Sequence, residues 1–290
     1  MSESFTFDYT EAFSRNIGWI TESEQQTLKN KRIAIAGMGG VGGSHLLTLT
    51  RLGIGNFNIA DFDKFELANF NRQVGATVPH IDQEKSATMD RLAHEINPEL
   101  DIKQFKQGIN EENLDEFLKD VDLYIDGLDF FVLEIRRKVF ARCYDLGIPC
   151  ITAAPLGMGT ALLTFMPGKM SFEEYFRLQG YDPMEQQIRF LVGLSPSFLH
   201  QPYLVDKSRV NFVDKKGPST PMACELCAGA TATEALKILL NRGKIQCAPW
   251  GYQFDAFRNK FKKTWRPWGN DNYIQRVAIY IARKIILGKK

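Results

Sequence analysis

The chain predicts an α/β fold: a Rossmann-like, doubly wound, mostly parallel sheet with a long crossover insertion and a basic C-terminal helix. Three observations predict it. Short apolar runs alternate with helical patterns from residue 31 onward. A glycine-rich turn, Gly37-Met-Gly39-Gly40-Val-Gly42-Gly43, joins the first apolar run to the first helical one. An acid, Asp61, closes the second run. Strands that alternate with helices imply right-handed crossovers, hence parallel neighbours with helices on both faces.

Taken in order, residues 21–28 read as a helix leading into a first strand at 33–36. Further strands follow at 57–60, 102–105, 123–125 and 150–153, with helices at 44–52, 83–96, 112–118 and 133–146 between them. Pro98 and Gly147-Ile-Pro149 fall where helices should stop. After Pro155 the rhythm changes. Residues 157–165 read as another strand, ended by Pro167-Gly168, and 169–216 carry scattered aromatics, turn signals and short helical pieces at 172–178 and 185–192. This is a long insertion, about 166–223, laid over one face of the sheet. A helix rich in Ala and Leu returns at 224–240 and is closed by Asn241-Arg-Gly243. The expected division is one nucleotide-binding domain over 1–258 and a separate basic, amphipathic tail over 259–290.

Bulk properties bound the function classes. The 290 residues are 44% hydrophobic, ample for a core, and a net charge of +2 gives no global argument for nucleic acid. The first residues lack a basic segment followed by an apolar one, so no secretory signal is read. No stretch reaches the roughly 18 apolar residues of a membrane span. Five cysteines make no secreted-type framework in a chain this long, and a reduced cytoplasmic setting is expected.

The glycines let a strand-to-helix turn be tight and bring backbone N–H groups close to phosphate oxygens, with the helix N-terminus adding partial positive charge. Asp61, at a strand's carboxyl end, suits a ribose diol. Asn69-Phe-Asn71-Arg72-Gln73 and then Lys85 follow. Arg72 and Lys85 suggest more negative charge than one pyrophosphate, pointing to ATP and away from NAD. Singly, Arg72 also fits a surface ion pair, Lys85 a solvated helix position and Asp129 a helix N-cap; it is their joint occurrence in this order that points to a site.

Gly37-Met-Gly-Gly-Val-Gly42, Asp61-Phe-Asp63, Asn69-x-Asn-Arg72-Gln73, Lys85 and Asp126-Gly-Leu-Asp129 resemble the ThiF/MoeB/HesA family, the prokaryotic branch of the ubiquitin-activating-enzyme-like adenylyltransferases. The similarity covers about residues 10–165 well and the 224–240 helix more loosely. It implies attack by a carboxylate on the α-phosphate of ATP, giving an acyl adenylate and pyrophosphate. By that resemblance Gly37, Gly39, Gly40 and Gly42 hold phosphates and Asp61 the ribose. Asn69, Arg72, Gln73 and Lys85 contact the triphosphate, and Asp129 holds Mg²⁺ with Asp63 as a helper. Arg15, in Phe13-Ser-Arg15-Asn16-Ile17, resembles the family's arginine that crosses a dimer interface to the γ-phosphate, which implies a homodimer; an ordinary surface arginine fits the same segment. The substrate is a carboxylate: the C-terminus of a small ubiquitin-like protein or peptide, a carboxylated small molecule or a tRNA base.

Two family features are missing. Many relatives bind structural zinc through two Cys-x-x-Cys pairs, and this chain has one, Cys224-Glu-Leu-Cys227, so no zinc is expected. Residues 151–223 contain no cysteine, which excludes thioester or persulfide transfer from the crossover loop. Cys224 or Cys227 remains a candidate nucleophile, because a helix N-terminus lowers a thiol pKa; buried packing is the alternative. His45, His80, His94 and His200 show no metal-ligand spacing.

Residues 260–290 carry nine Lys or Arg and one acid, Asp271. Ile274, Val277, Ala278, Ile281 and Ile285 share one helical stripe, with Arg276, Arg283 and Lys284 off it and Trp265 and Trp268 before it. Docking on the domain or on a dimer partner is expected, with contact to a membrane surface or RNA as the alternatives. The competing readings of the whole chain are an NAD- or FAD-dependent oxidoreductase and a non-catalytic nucleotide-binding adaptor.

Overall fold

A computed structural model describes residues 6–287 apart from 213 and 216. The helices are α1 (Tyr9–Ala12), α2 (Glu22–Lys29), α3 (Gly40–Leu52), α4 (Lys85–His94), α5 (Leu114–Phe117), α6 (Leu133–Leu146), α7 (Phe172–Phe176), α8 (Pro183–Leu194), α9 (Pro221–Leu239) and α10 (Tyr273–Leu287). The strands are β1 (Arg32–Ala36), β2 (Asn56–Ala60), β3 (Asp101–Phe105), β4 (Leu123–Asp126), β5 (Cys150–Leu156), β6 (Gly159–Phe165), β7 (Trp250–Asp255) and β8 (Lys260–Trp265). They form one sheet in the order β3-β2-β1-β4-β5-β6-β7-β8. The first five pair in parallel and the last three add antiparallel.

Alternation along each strand decides which helix layer it meets. Ile33 and Ile35 of β1, with Leu123 and Ile125 of β4, face Leu46 and Leu49 of α3 and Ala232 and Ala235 of α9. Ala34, Ala36 and Tyr124 point the other way, toward Phe117, Val139 and Phe140. Both faces are therefore covered, as the near-continuous apolar strands require.

The insertion covers the second face. Ser171 caps α7 in a reciprocal box with Glu174, and Asp182 caps α8 ahead of Pro183. Their aromatic residues stack into the sheet-side core, with ring centroids 4.4 Å apart for Phe140 and Phe172 and 4.9 Å for Phe176 and Phe190. Burying each such ring contributes on the order of 1.5–3 kcal/mol.

Several elements differ from the sequence reading. The strand expected at 150–153 runs on to Leu156 through Pro155. Beyond Thr152 it has outrun β4 and pairs with β6 alone, so the missing N–H of Pro155 removes no bond on the β4 side. Strands β7 and β8 were not predicted, and the division at 258/259 falls in the turn that joins them. Residues 260–265 belong to the sheet, paired from Asp255↔Lys260 to Trp250↔Trp265. The lysines of β8 stand on the outermost strand, where charge discourages further pairing.

The tail helix docks on the domain through a different face from the stripe read in the sequence. Ile279 and Ala282 pack on Ile188 and Val192 of α8. Gln275 Nε2 donates to Val192 O at 3.2 Å, and Arg283 donates to both oxygens of Glu185 at 2.7 and 2.9 Å. Ile274, Val277, Ile281 and Ile285 are exposed, and Ala278 lies at the border. No helix among the described residues is long and apolar enough to cross a membrane.

Candidate nucleotide site

Strand order reverses at β1: β2 and β3 lie to one side, β4 and β5 to the other. Because these strands are parallel, the segments after β1, β2 and β4 emerge at one edge, and the crevice at such a switch point is where open α/β sheets bind ligands. It brings together the glycine turn, Asp61 and the 126–132 loop with Asp129.

The four glycines divide into two pairs. Gly37 has φ +89°, and a Cβ there would fall 2.3 Å from Gly127 O. A Cβ on Gly42 would lie 1.7 Å from Gly37 O. These two let three backbone turns cross in contact. At Gly39 a Cβ would meet nothing nearer than Gln73 Nε2 at 3.7 Å, and at Gly40 it would touch Cys224 Sγ at 3.0 Å and Arg72 Cγ at 3.5 Å. Gly39 and Gly40 thus form a wall facing Gln73 and Arg72, open at Gly39 and in close contact with Cys224 and Arg72 at Gly40. Helix α3 begins at that wall with no side-chain cap, leaving its positive end for an anion.

Asp61 binds the turn as well as facing the crevice. Its Oδ2 accepts from Met38 N at 2.6 Å and its Oδ1 from Asp63 N at 2.8 Å. Burial raises its carboxyl pKa, opposed by those two N–H groups and by Lys85. Each oxygen keeps a second lone pair for a diol.

Lys85 is 6% exposed and donates to Asp63 Oδ2 at 3.1 Å, while its backbone N–H reaches Asp63 O at 2.9 Å. It stands at the first position of α4, where a cation opposes the helix dipole. A buried ammonium in that place, with one half-exposed carboxylate for partner, suits an incoming anion better than it suits stability.

A 3-10 turn at Leu67–Asn69 opens the 66–73 segment and is locked by Asn69, whose Oδ1 accepts from Glu66 N at 3.0 Å. Arg72 Nη1 donates to Ala68 O and Asn71 Oδ1, both at 3.0 Å, leaving Nη2 and Nε without partners among the described residues. Gln73 is buried with its Oε1 unpaired. An orphaned buried amide oxygen beside an uncapped helix end and a glycine wall needs a donor, and a ribose hydroxyl fits it better than packing does.

Asp129 is exposed, and its Oδ1 accepts from Phe131 N at 2.9 Å. The other oxygen has no partner among the described residues, so one carboxylate ligand is available. Its loop is gripped by a residue the sequence reading missed. Buried Arg136 donates from Nε to Asp126 Oδ2 at 2.8 Å, from Nη2 to Leu128 O at 2.6 Å and Asp129 O at 3.1 Å, and from Nη1 to Val132 O at 3.0 Å. The available signal was an arginine at a core position of an amphipathic helix, ten residues after a strand-end aspartate.

Arg15 does not join this group within the chain. Its neighbour Asn16 donates to Leu52 O at the far end of α3. From Gly40 to Leu52 the helix runs about 18 Å.

The end of the insertion closes one side of the crevice. The ring of Phe212 lies 6.1 Å from that of Phe130 and 6.0 Å from that of Phe131. Asn71 Nδ2 donates to Ser219 O at 2.9 Å, and Thr220 Oγ1 to Gly157 O at 2.6 Å. Cys224 follows, in the second turn of α9. Burial pushes its thiol up to about 11 despite Arg72 nearby, and it pushes Cys227 higher still, beside Thr160 Oγ1 at 3.1 Å. The lowering expected at a helix N-terminus is overridden by desolvation. No group of three or more His, Cys, Asp or Glu able to hold a metal occurs among the described residues.

A ThiF family model matches residues 13–272, and the chain belongs to that family. It is 31% identical over 143 residues to the sulfur carrier protein ThiS adenylyltransferase of Escherichia coli K12, covering 49% of this chain and 56% of that protein. It is 32% identical over 142 residues to the tRNA threonylcarbamoyladenosine dehydratase of Bacillus subtilis 168, covering 49% of this chain and 55% of that one. The chain thus spans little more than half the length of these relatives. The crystal structure of E. coli MccB with ATP superposes with a TM-score of 0.65 at 19% identity, over 90% of this chain and 72% of that one, so the two share a fold.

Proposed function

We propose that the chain is an ATP- and Mg²⁺-dependent adenylyltransferase that converts a carboxylate into an acyl adenylate. What supports this most is the Gly39–Gly40 wall against the orphaned Gln73 amide and Arg72, with buried Lys85 beside Asp63 and the open carboxylate of Asp129 following β4 at the same sheet edge. A dinucleotide oxidoreductase has no use for that set of charges together. The E. coli MccB structure with ATP supports the choice of nucleotide.

The chemistry follows from the residue types. The attacking carboxylate is anionic near neutral pH, so no general base is needed. Attack on the α-phosphorus spreads charge over the equatorial oxygens and the leaving pyrophosphate. Arg72 and Lys85 stabilise that charge without reorganising, most strongly where water is excluded. Asp129 offers Mg²⁺ one ligand, which suits an ion that takes one or two carboxylates and completes its shell with phosphate and water. Bound there, the ion would neutralise phosphate charge. Asp61 holds the ribose while keeping the glycine turn in place.

Within one chain Arg15 is too far from Gly40 to assist. We assign it a role only from a second copy, in a homodimer. The substrate is a small protein or peptide C-terminus, by analogy with a relative named for the sulfur carrier protein ThiS and with an MccB structure solved together with MccA. A tRNA base is the alternative, by analogy with the B. subtilis dehydratase.

ATP–pyrophosphate exchange against a panel of peptides, small carboxylates and tRNA tests the reading. Exchange dependent on one carboxylate is the expected result. ATP binding without exchange for any of them would favour a non-catalytic adaptor.

A further inference from the structure

Helix α10 is apolar on two faces, and the domain uses only one. Ile279 and Ala282 are buried against α8, while Ile274, Val277, Ile281 and Ile285, farther round the helix, are 60%, 59%, 50% and 46% exposed. A contiguous exposed aliphatic stripe on a helix that also carries a basic polar side marks a binding surface.

We propose that this outer stripe docks on an anionic lipid surface, with α10 lying in the plane of the headgroups. Charge identifies the partner. Lys284 borders the stripe, and Arg276 stands on the helix's polar side, both exposed. Arg283 is already committed to Glu185, and the single acid of residues 260–290, Asp271, is committed to Arg177 at 3.1 Å. The surface is therefore cationic with no acidic counterpart of its own. A second copy meeting it about a two-fold axis would set like charges against each other. Negative headgroups complement it, and a bilayer takes up aliphatic side chains that a nucleic acid does not. Tyr273 and Tyr280 border the stripe, and Lys284 Nζ rests 4.6 Å over the Tyr280 ring. Rings of that kind favour the level of the headgroups. This inference is independent of the reaction proposed above.

Sedimentation of the full chain with vesicles tests it. We expect co-sedimentation with phosphatidylcholine–phosphatidylserine vesicles, little with pure phosphatidylcholine, and weakening as salt rises. Ile281→Asp should weaken binding about tenfold or more while the melting temperature stays at the wild-type value, since the side chain is exposed in the folded chain. The paired change Arg276→Gln and Lys284→Gln should weaken binding to anionic vesicles without touching the apolar stripe. Failure to bind anionic vesicles, or equal binding by Ile281→Asp, overturns the proposal. A dimer that Ile281→Asp dissociates would assign the stripe to a second copy, and binding of polyuridylate lost in the Arg276/Lys284 variant, with no vesicle binding, would assign the surface to RNA.

Discussion

Arg136 and Asp126 form an ion pair at 2.8 Å with their side chains 3% and 2% exposed, and the same guanidinium holds the carbonyls of Leu128, Asp129 and Val132. One side chain thereby ties the end of β4 to the start of α6 and sets the loop that carries Asp129. Thr152 Oγ1 completes the shell of Asp126 at 2.8 Å.

Removing one partner of a buried pair leaves the other charge uncompensated, a loss of about 3–5 kcal/mol. Arg136→Ala should lower the urea-unfolding free energy by that order. Arg136→Lys keeps charge but not the forked geometry, and should recover only part of it. Wild-type unfolding for Arg136→Ala would show that the loop is held by other means.

Glycine substitutions should separate folding from binding. A Cβ at position 42 collides with Gly37 O at 1.7 Å, so Gly42→Ala should fail to fold or melt far lower. At position 39 the nearest atom is 3.7 Å away, so Gly39→Ala should melt normally yet bind nucleotide weakly. Calorimetric melting together with nucleotide titration distinguishes the two, and unimpaired binding by Gly39→Ala would remove that wall from the site.

Lys85→Ala and Arg72→Ala should each cost roughly 2–4 kcal/mol of transition-state stabilisation in pyrophosphate exchange. Neither should unfold the chain, because Asp63, the partner of Lys85, is half exposed and stays solvated. Exchange at the wild-type rate in both variants would remove them from the reaction.

His45 lies fully buried in α3 with both ring nitrogens unpaired among the described residues, and burial lowers its pKa to about 3. The unfolded chain takes up a proton near pH 6.5 that the folded chain refuses. Stability is therefore full above about pH 6.5 and falls as pH drops toward about 3. In His45→Leu that part of the acid sensitivity should vanish, as read from unfolding free energies between pH 7 and pH 4. An unchanged slope would place the acid sensitivity elsewhere.

Much of the sheet was legible because β1, β2, β4 and β5 are buried on both faces and read as apolar runs, while the glycine turn and Asp61 have strict backbone reasons to stand where they do. The β7–β8 hairpin was not. The sequence Lys-Phe-Lys-Lys-Thr-Trp of β8 becomes a strand through its ladder with β7, which itself pairs with β6 some ninety residues earlier. No local period reports that pairing. The docked face of α10 was misread for a related reason: both of its faces are apolar, so periodicity finds a stripe without saying which one meets α8. The residues proposed for the site stand in the sequence as a set of charges in order. Arg136 was not legible, because Asp126 stood in the Asp126-Gly-Leu-Asp129 motif with nothing local to name its partner ten residues on.

Titrating the chain with Mg²⁺-ATP and, separately, with NAD by calorimetry, for wild type and Lys85→Ala, tests most directly whether this crevice is built for a triphosphate. ATP should bind in preference to NAD, and Lys85→Ala should weaken ATP binding while its melting temperature stays near wild type. Preference for NAD, or ATP binding indifferent to Lys85, would contradict that assignment.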